Sequence, residues 1–89
     1  MLRIGRVAEG PSHATLRVEG RLVSQWVPVL EGECSLALRE TGGVRLDLAA
    51  VTFVDRLGVA ALRRLGAQGL EIINCPEFIE ELLRRDGDG

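Results

Sequence analysis

The side chains that could do chemistry in this sequence are few. There is one histidine, His13, and there are two cysteines, Cys34 and Cys75. The 13 carboxylates face 11 basic residues, and every basic residue is an arginine. A Ser-His-Asp site needs its imidazole beside a nucleophile. His13 instead follows the turn cluster Glu9-Gly10-Pro11-Ser12 and reads as a solvated loop residue. The lack of lysine excludes a Schiff-base lysine and a phosphate-loop lysine. Gly42-Gly43 closes a helix before a strand, the reverse of a phosphate-binding loop. The two cysteines read as small buried apolar residues, since a zinc site needs two more ligands than this chain supplies. Glu80 and Glu81 point to different sides of a helix. Arg63-Arg64 and Arg84-Arg85 read as solvated helix surface. The expectation is a protein that is not an enzyme and has no cofactor and no metal.

One stretch stands apart: Val51-Thr52-Phe53-Val54-Asp55-Arg56-Leu57-Gly58-Val59. An apolar run ends in an aspartate, then a short turn and a glycine open a helix. Asp55 suits the helix N-cap, where a carboxylate accepts backbone N–H bonds and the helix dipole favours its charge. Gly58 permits close approach or unusual backbone angles. Strand-to-helix junctions of this kind face out at the carboxyl end of a sheet, where partners and ligands meet such folds. Two readings stand side by side here: a cap and tight turn with no other role, or an exposed recognition site.

The elements that must position this junction follow from periodicity. Arg3 to Val7 and Ala14 to Val18 read as a strand pair around the turn, an N-terminal hairpin at a sheet edge. Trp26, Val27, Leu30, Cys34, Ala37 and Leu38 recur at helical spacing. Ser24 reads as that helix's N-cap, Pro28 sits in its first turn, and Gly32 interrupts its middle. Val44 to Ala49 alternates as a half-covered strand, and Thr52 to Asp55 follows as a loop or strand end. The next helix covers Leu57 to Leu65, with an apolar stripe of Leu57, Ala61, Leu62 and Leu65. Leu70 to Ile73 is a short strand. Pro76 suits the first position of a last helix, whose buried face is Phe78, Ile79, Leu82 and Leu83.

The order is β-β-α-β-α-β-α. This predicts an α/β fold: a small mixed β-sheet formed by an N-terminal hairpin and two strand-helix-strand units, with helices mainly on one face. The chain of 89 residues reads as a single domain over 1–85 with a polar disordered tail at 86–89. The net charge of −2 argues against a general nucleic-acid binder. No apolar run is long enough for a membrane span, so no direct membrane insertion is expected. The charged start Met1-Leu2-Arg3-Ile4-Gly5-Arg6 lacks a signal peptide's apolar centre, so a cytoplasmic location is expected.

At this point the sequence resembles the STAS domain, the fold of anti-sigma factor antagonists and of the cytoplasmic tails of sulfate transporters. Val18-Glu19-Gly20-Arg21-Leu22 is similar to the family's strand ending in Gly-x-Leu. Val44 to Leu48 and Val51 to Asp55 are similar to its central strand and the approach to its signature. Asp55-Arg56-Leu57-Gly58 is similar to that signature, Asp-[Ser/Thr]-[Ser/Thr]-Gly. Leu70 to Cys75 and Pro76 to Leu83 are similar to its last strand and helix. In the regulatory members the residue before the glycine is the hydroxyl that a kinase phosphorylates. Here it is Leu57, with Arg56 in the other hydroxyl position and Val23 where an acidic residue often stands. Leucine cannot carry phosphate, so the switch is lost at that position. Hydroxyls remain at Thr52, Thr41 and Ser24.

The resemblance implies a non-enzymatic regulatory module that binds a protein partner through Asp55, Arg56, Leu57 and Gly58, with Trp26 as an outlying contact. The implied partner is a kinase-like anti-sigma factor. One alternative is a small STAS subunit of an ABC-type lipid or solute transport complex, bound to the transporter ATPase. Another is a nucleotide- or ligand-binding STAS domain. That reading requires a pocket at the carboxyl end of the sheet, with phosphate held by Arg56 or helix N-termini.

Overall fold

The computed structural model describes residues 1–87. Two strands come first, β1 (Leu2–Glu9) and β2 (Ala14–Leu22). A short 3-10 turn (Ser24–Trp26) leads into helix α1 (Val27–Thr41). Then follow β3 (Val44–Val54), α2 (Arg56–Ala67), β4 (Glu71–Ile73) and α3 (Glu77–Gly87). The sheet order is β1-β2-β3-β4. β1 and β2 pair antiparallel, while β2 with β3 and β3 with β4 pair parallel. This is the expected hairpin followed by two strand-helix-strand units.

Burial alternates along the strands. Leu16, Val18 and Leu22 of β2 are buried, as are Leu46 and Leu48 of β3. They pack against Leu30, Cys34 and Ala37 of α1, Leu62 and Leu65 of α2, and Ile79 of α3 in one hydrophobic core. Arg17, Arg45 and Glu71 occupy the opposite, open face. The molecule is therefore two layers, helices on one face of a mixed sheet.

β3 departs from expectation. It does not stop at Ala49 but runs to Val54, so of the two readings of Thr52 to Asp55 the strand end holds. The register against β2 slips twice, between Arg17 and Glu19 and between Gly20 and Arg21, and each slip inserts one extra residue of β3. These bulges break the two-residue period. The buried residues fall at Val44, Leu46, Leu48, Val51 and Val54, so simple alternation ends where the strand does not. The second bulge delivers Val54 to the core and the chain end to α2.

Several local expectations are corrected. Ser24 is not a helix cap; Trp26 takes that position, without a side-chain cap bond. Leu57 lies off the buried stripe of α2, exposed in its first turn, because the helix starts at Arg56 and turns residue 57 outward. In α3, Ile79 is buried and Leu82 and Leu83 are half-buried, but Phe78 is exposed. Pro76 stands just before that helix, and its carbonyl accepts the N–H groups of Ile79 and Glu80. Arg63 is not free surface. It is half-buried and donates to the carbonyls of Leu82 (3.4 Å) and Leu83, tying α3 to α2, while Arg64 pairs with Glu31 of α1 at 2.9 Å. Cys34 is buried but Cys75 is only half-buried. α3 extends to Gly87, into the segment expected as a tail; Asp88 and Gly89 lie outside the described residues. No described helix is long and apolar enough to cross a membrane.

Two helical glycines, Gly58 in the first turn of α2 and Gly32 in the middle of α1, have opposite settings. A Cβ on Gly58 would lie 2.5 Å from the Leu22 carbonyl oxygen and 2.8 Å from Val54 Cγ1. A Cβ on Gly32 would meet nothing within 4 Å. Alanine gains about 1 kcal/mol over glycine in a helix, and overpacking costs about 1–3 kcal/mol. Gly32→Ala is therefore expected to raise the urea midpoint, while Gly58→Ala lowers it because the clash involves backbone. Equal midpoints would contradict the close approach at Gly58.

Burial, reinforced by Glu31 and Glu33, pushes the Cys34 thiol up from 9.0 to about 12. The folded state thus holds this proton more tightly than the unfolded chain. The stabilisation is complete below pH 9 and is lost as pH rises from there toward 12. Urea unfolding at stepped alkaline pH is expected to show falling stability over that window, with a flatter profile in Cys34→Ala.

Candidate partner-binding surface

The junction between β3 and α2 is organised by Asp55. Its backbone is extended (φ −91°, ψ −178°), the geometry of an N-cap residue. Oδ1 accepts the Gly58 N–H at 2.8 Å. Oδ2 accepts the Ser24 N–H at 2.8 Å. The Asp55 N–H donates to the Leu22 carbonyl at 3.1 Å, and the Asp55 carbonyl accepts from Val59 at 2.9 Å. One residue thus joins the end of β2, the entry to α1 and the start of α2. Its carboxylate is occupied by two backbone donors.

The five residues named from sequence have different positions. Arg56 is exposed and its side chain makes no hydrogen bond or ion pair among the described residues. Leu57 is 54% exposed. Gly58 is buried beneath Leu22 and Val54, so it shapes the junction without offering surface. Asp55 is half-buried. Trp26 is half-buried and packs against the hydrophobic core. Exposed contact area in the junction itself comes from Arg56 and Leu57.

Other residues escaped the sequence reading. Phe53 of β3 is 45% exposed, and the Arg21 guanidinium lies over its ring, 4.9 Å from the centroid. Arg21 and Phe53 are register partners on adjacent strands. Their neighbours Leu22 and Val54 point into the core, so this pair lies on the open face. Continuing the β3 strand past Ala49 would have revealed it. The carbonyl of Met1 accepts the Arg21 N–H at 3.3 Å, placing Met1 at the same end of the sheet.

The three remaining hydroxyls differ in their bonds. Thr41 Oγ1 donates to the carbonyls of Ala37 and Gly43, and Thr52 Oγ1 to that of Gly20. Ser24 is exposed, and its contact with Asp55 runs through its backbone. No pocket opens among the described residues, and no group of His, Cys, Asp and Glu there could hold a metal ion.

The two carboxylate oxygens of Asp55 can be separated experimentally. Asp55→Ala removes both acceptors and is expected to cost about 1–2 kcal/mol in urea unfolding. Asp55→Asn keeps an oxygen for Gly58 but turns an amide donor toward Ser24. Amide hydrogen exchange should then speed up at Ser24 while Gly58 stays protected. Unchanged exchange at both amides in Asp55→Ala would remove the clamp from the account.

The sequence matches no protein-family model and no curated protein. Solved structures do match. SpoIIAA, an anti-sigma factor antagonist solved in its unphosphorylated form, superposes with a TM-score of 0.68 at 16% identity, over 92% of this chain and 82% of that one. An uncharacterised Shewanella loihica protein of the DUF3478 family, described as having a SpoIIAA-like fold, gives 0.57 at 14% identity, over 97% and 77%. Taken with the element order and the mixed sheet, these likenesses give the chain a SpoIIAA-like, STAS-type fold.

Proposed function

We propose that this chain is a non-enzymatic regulatory module that binds a protein partner through the β3–α2 junction and is not switched by phosphorylation at position 57. The observation that carries the reading is the exposure of Leu57 beside an unpaired Arg56 at the start of α2. Isolated exposed leucines are common on protein surfaces. This one stands on a junction held by Asp55 and Gly58, next to an arginine, the side chain most enriched with aromatics in binding hot spots. The STAS-type fold supports the same reading, since SpoIIAA is an anti-sigma factor antagonist. A leucine has no oxygen for a phosphoryl group, so partner binding here is set by concentration and affinity rather than by modification of that residue.

The test is affinity capture from the source organism's lysate, comparing wild type with Arg56→Glu/Leu57→Asp, and mass spectrometry of the bound proteins. Recovery of a kinase-like anti-sigma factor that is lost in the double variant is the expected result. Recovery of a transport ATPase, lost in the same variant, would make the module a subunit of a transport complex. An identical set of bound proteins in both samples would overturn the binding surface.

A further inference from the structure

At the end of the molecule that carries this junction, two exposed arginines and several exposed apolar side chains come together. The whole sequence has a net charge of −2. At this end Arg21 and Arg56 are exposed, and neither has a carboxylate partner among the described residues. The nearest acids are engaged. Asp55 holds two backbone N–H groups. Glu19 pairs with Arg17 at 3.8 Å and faces Arg3 across the sheet. The first turn of α2 has no acidic residue, nor has the 3-10 turn or the first turn of α1. Such positions usually favour acids, because the helix N-terminus is electropositive.

Apolar surface gathers at the same end. Met1 is 83% exposed and bonded through its carbonyl to Arg21. Phe53 lies under the Arg21 guanidinium, and Leu57 follows four residues later. The stacked arginine is partly ordered before any partner arrives, which lowers the entropic cost of contact. Arginine, phenylalanine and methionine are among the side chains enriched at protein interfaces.

We infer that the binding surface extends beyond Arg56 and Leu57 onto Arg21, Phe53 and Met1, and that it takes an acidic protein segment bearing apolar side chains. This rests on the partner-binding reading above and adds the chemistry of the partner. Charge complementarity selects the occupant. Two guanidinium groups without an ion-pair partner among the described residues favour a carboxylate-rich partner over a basic one, and the exposed apolar side chains at this end need an apolar counterpart. A membrane is disfavoured, because two arginines give little attraction to anionic lipid.

The probes are a short synthetic peptide of Glu and Leu and its Lys-for-Glu counterpart, titrated into the labelled chain and followed by NMR. The expected result is shifts confined to Met1, Arg21, Phe53, Arg56 and Leu57 with the acidic peptide only. Affinity is expected to fall about tenfold in Arg21→Glu and again at high NaCl. Absent shifts, shifts elsewhere or equal binding of the basic peptide would overturn the inference. So would phosphatidylglycerol vesicles binding through the same residues, or self-association through them. Arg21→Glu and Phe53→Ser should both stay folded, their urea midpoints lowered only by the lost Arg21–Phe53 ring contact. The lysate capture separates the two proposals. If Arg56→Glu/Leu57→Asp loses the partner while Arg21→Glu and Phe53→Ser retain it at high salt, the binding reading stands and the acidic-segment inference fails.

Discussion

The carboxylate of Asp55 is the constraint on which the arrangement of this small fold depends. Each helix must begin with backbone N–H groups that have no partner within the helix. Here one side chain serves two beginnings, the Gly58 N–H in α2 and the Ser24 N–H at the entry to α1. The same residue's own N–H donates to the Leu22 carbonyl at the end of β2. Neighbouring parallel strands leave the sheet at this point, and their chains would otherwise diverge. The bonds fix both exits relative to each other, and the two crossover helices then lie side by side on one face.

Close packing completes what the carboxylate begins. α2 can approach β2 and β3 this tightly only because residue 58 lacks a side chain. The resulting layer buries Leu22, Val54 and Leu62 together. Ion pairs contribute less. Arg45 with Glu71 and Arg17 with Glu19 are largely exposed, and such pairs are worth about 0–1 kcal/mol. Their role on the open sheet face is to keep an uncovered surface polar. Arg63 differs because it is half-buried and bonds to backbone carbonyls, so it orients α3 on α2 rather than decorating the surface.

The fold was legible because its elements repeat their signals. The hairpin, the two strand-helix-strand units and the helical stripes of α1 and α2 all show in residue periodicity, and Asp55 shows as a cap. What escaped reading has physical causes. The β3 bulges shift the buried positions from every second residue to every third, so alternation stops at Ala49 and leaves Phe53 in a segment that reads equally as loop or strand end. The Ser24 contact joins residues 31 positions apart through a backbone N–H, which carries no residue-type signature. Leu57 and Phe78 fit apolar helical stripes by spacing, yet both lie at helix starts, where a small change in entry angle turns a side chain outward. For the candidate site, sequence located the junction, and only the structure separated Gly58, which is buried, from Leu57, which is exposed.

That separation bears on how a module of this kind is controlled. A phosphoryl group brings about −1.5 to −2 units of charge and needs donors to receive it. At the start of α2 the Gly58 N–H already has a partner in Asp55, and Arg56 is the only nearby cation in that turn. A charge at position 57 would therefore have to compete with the carboxylate that holds the junction together. Leu57 avoids that competition and leaves the clamp intact. Under the binding reading, position 57 itself offers no phosphorylation switch, and what that residue contributes to occupancy follows the amounts of the two proteins and the affinity between them.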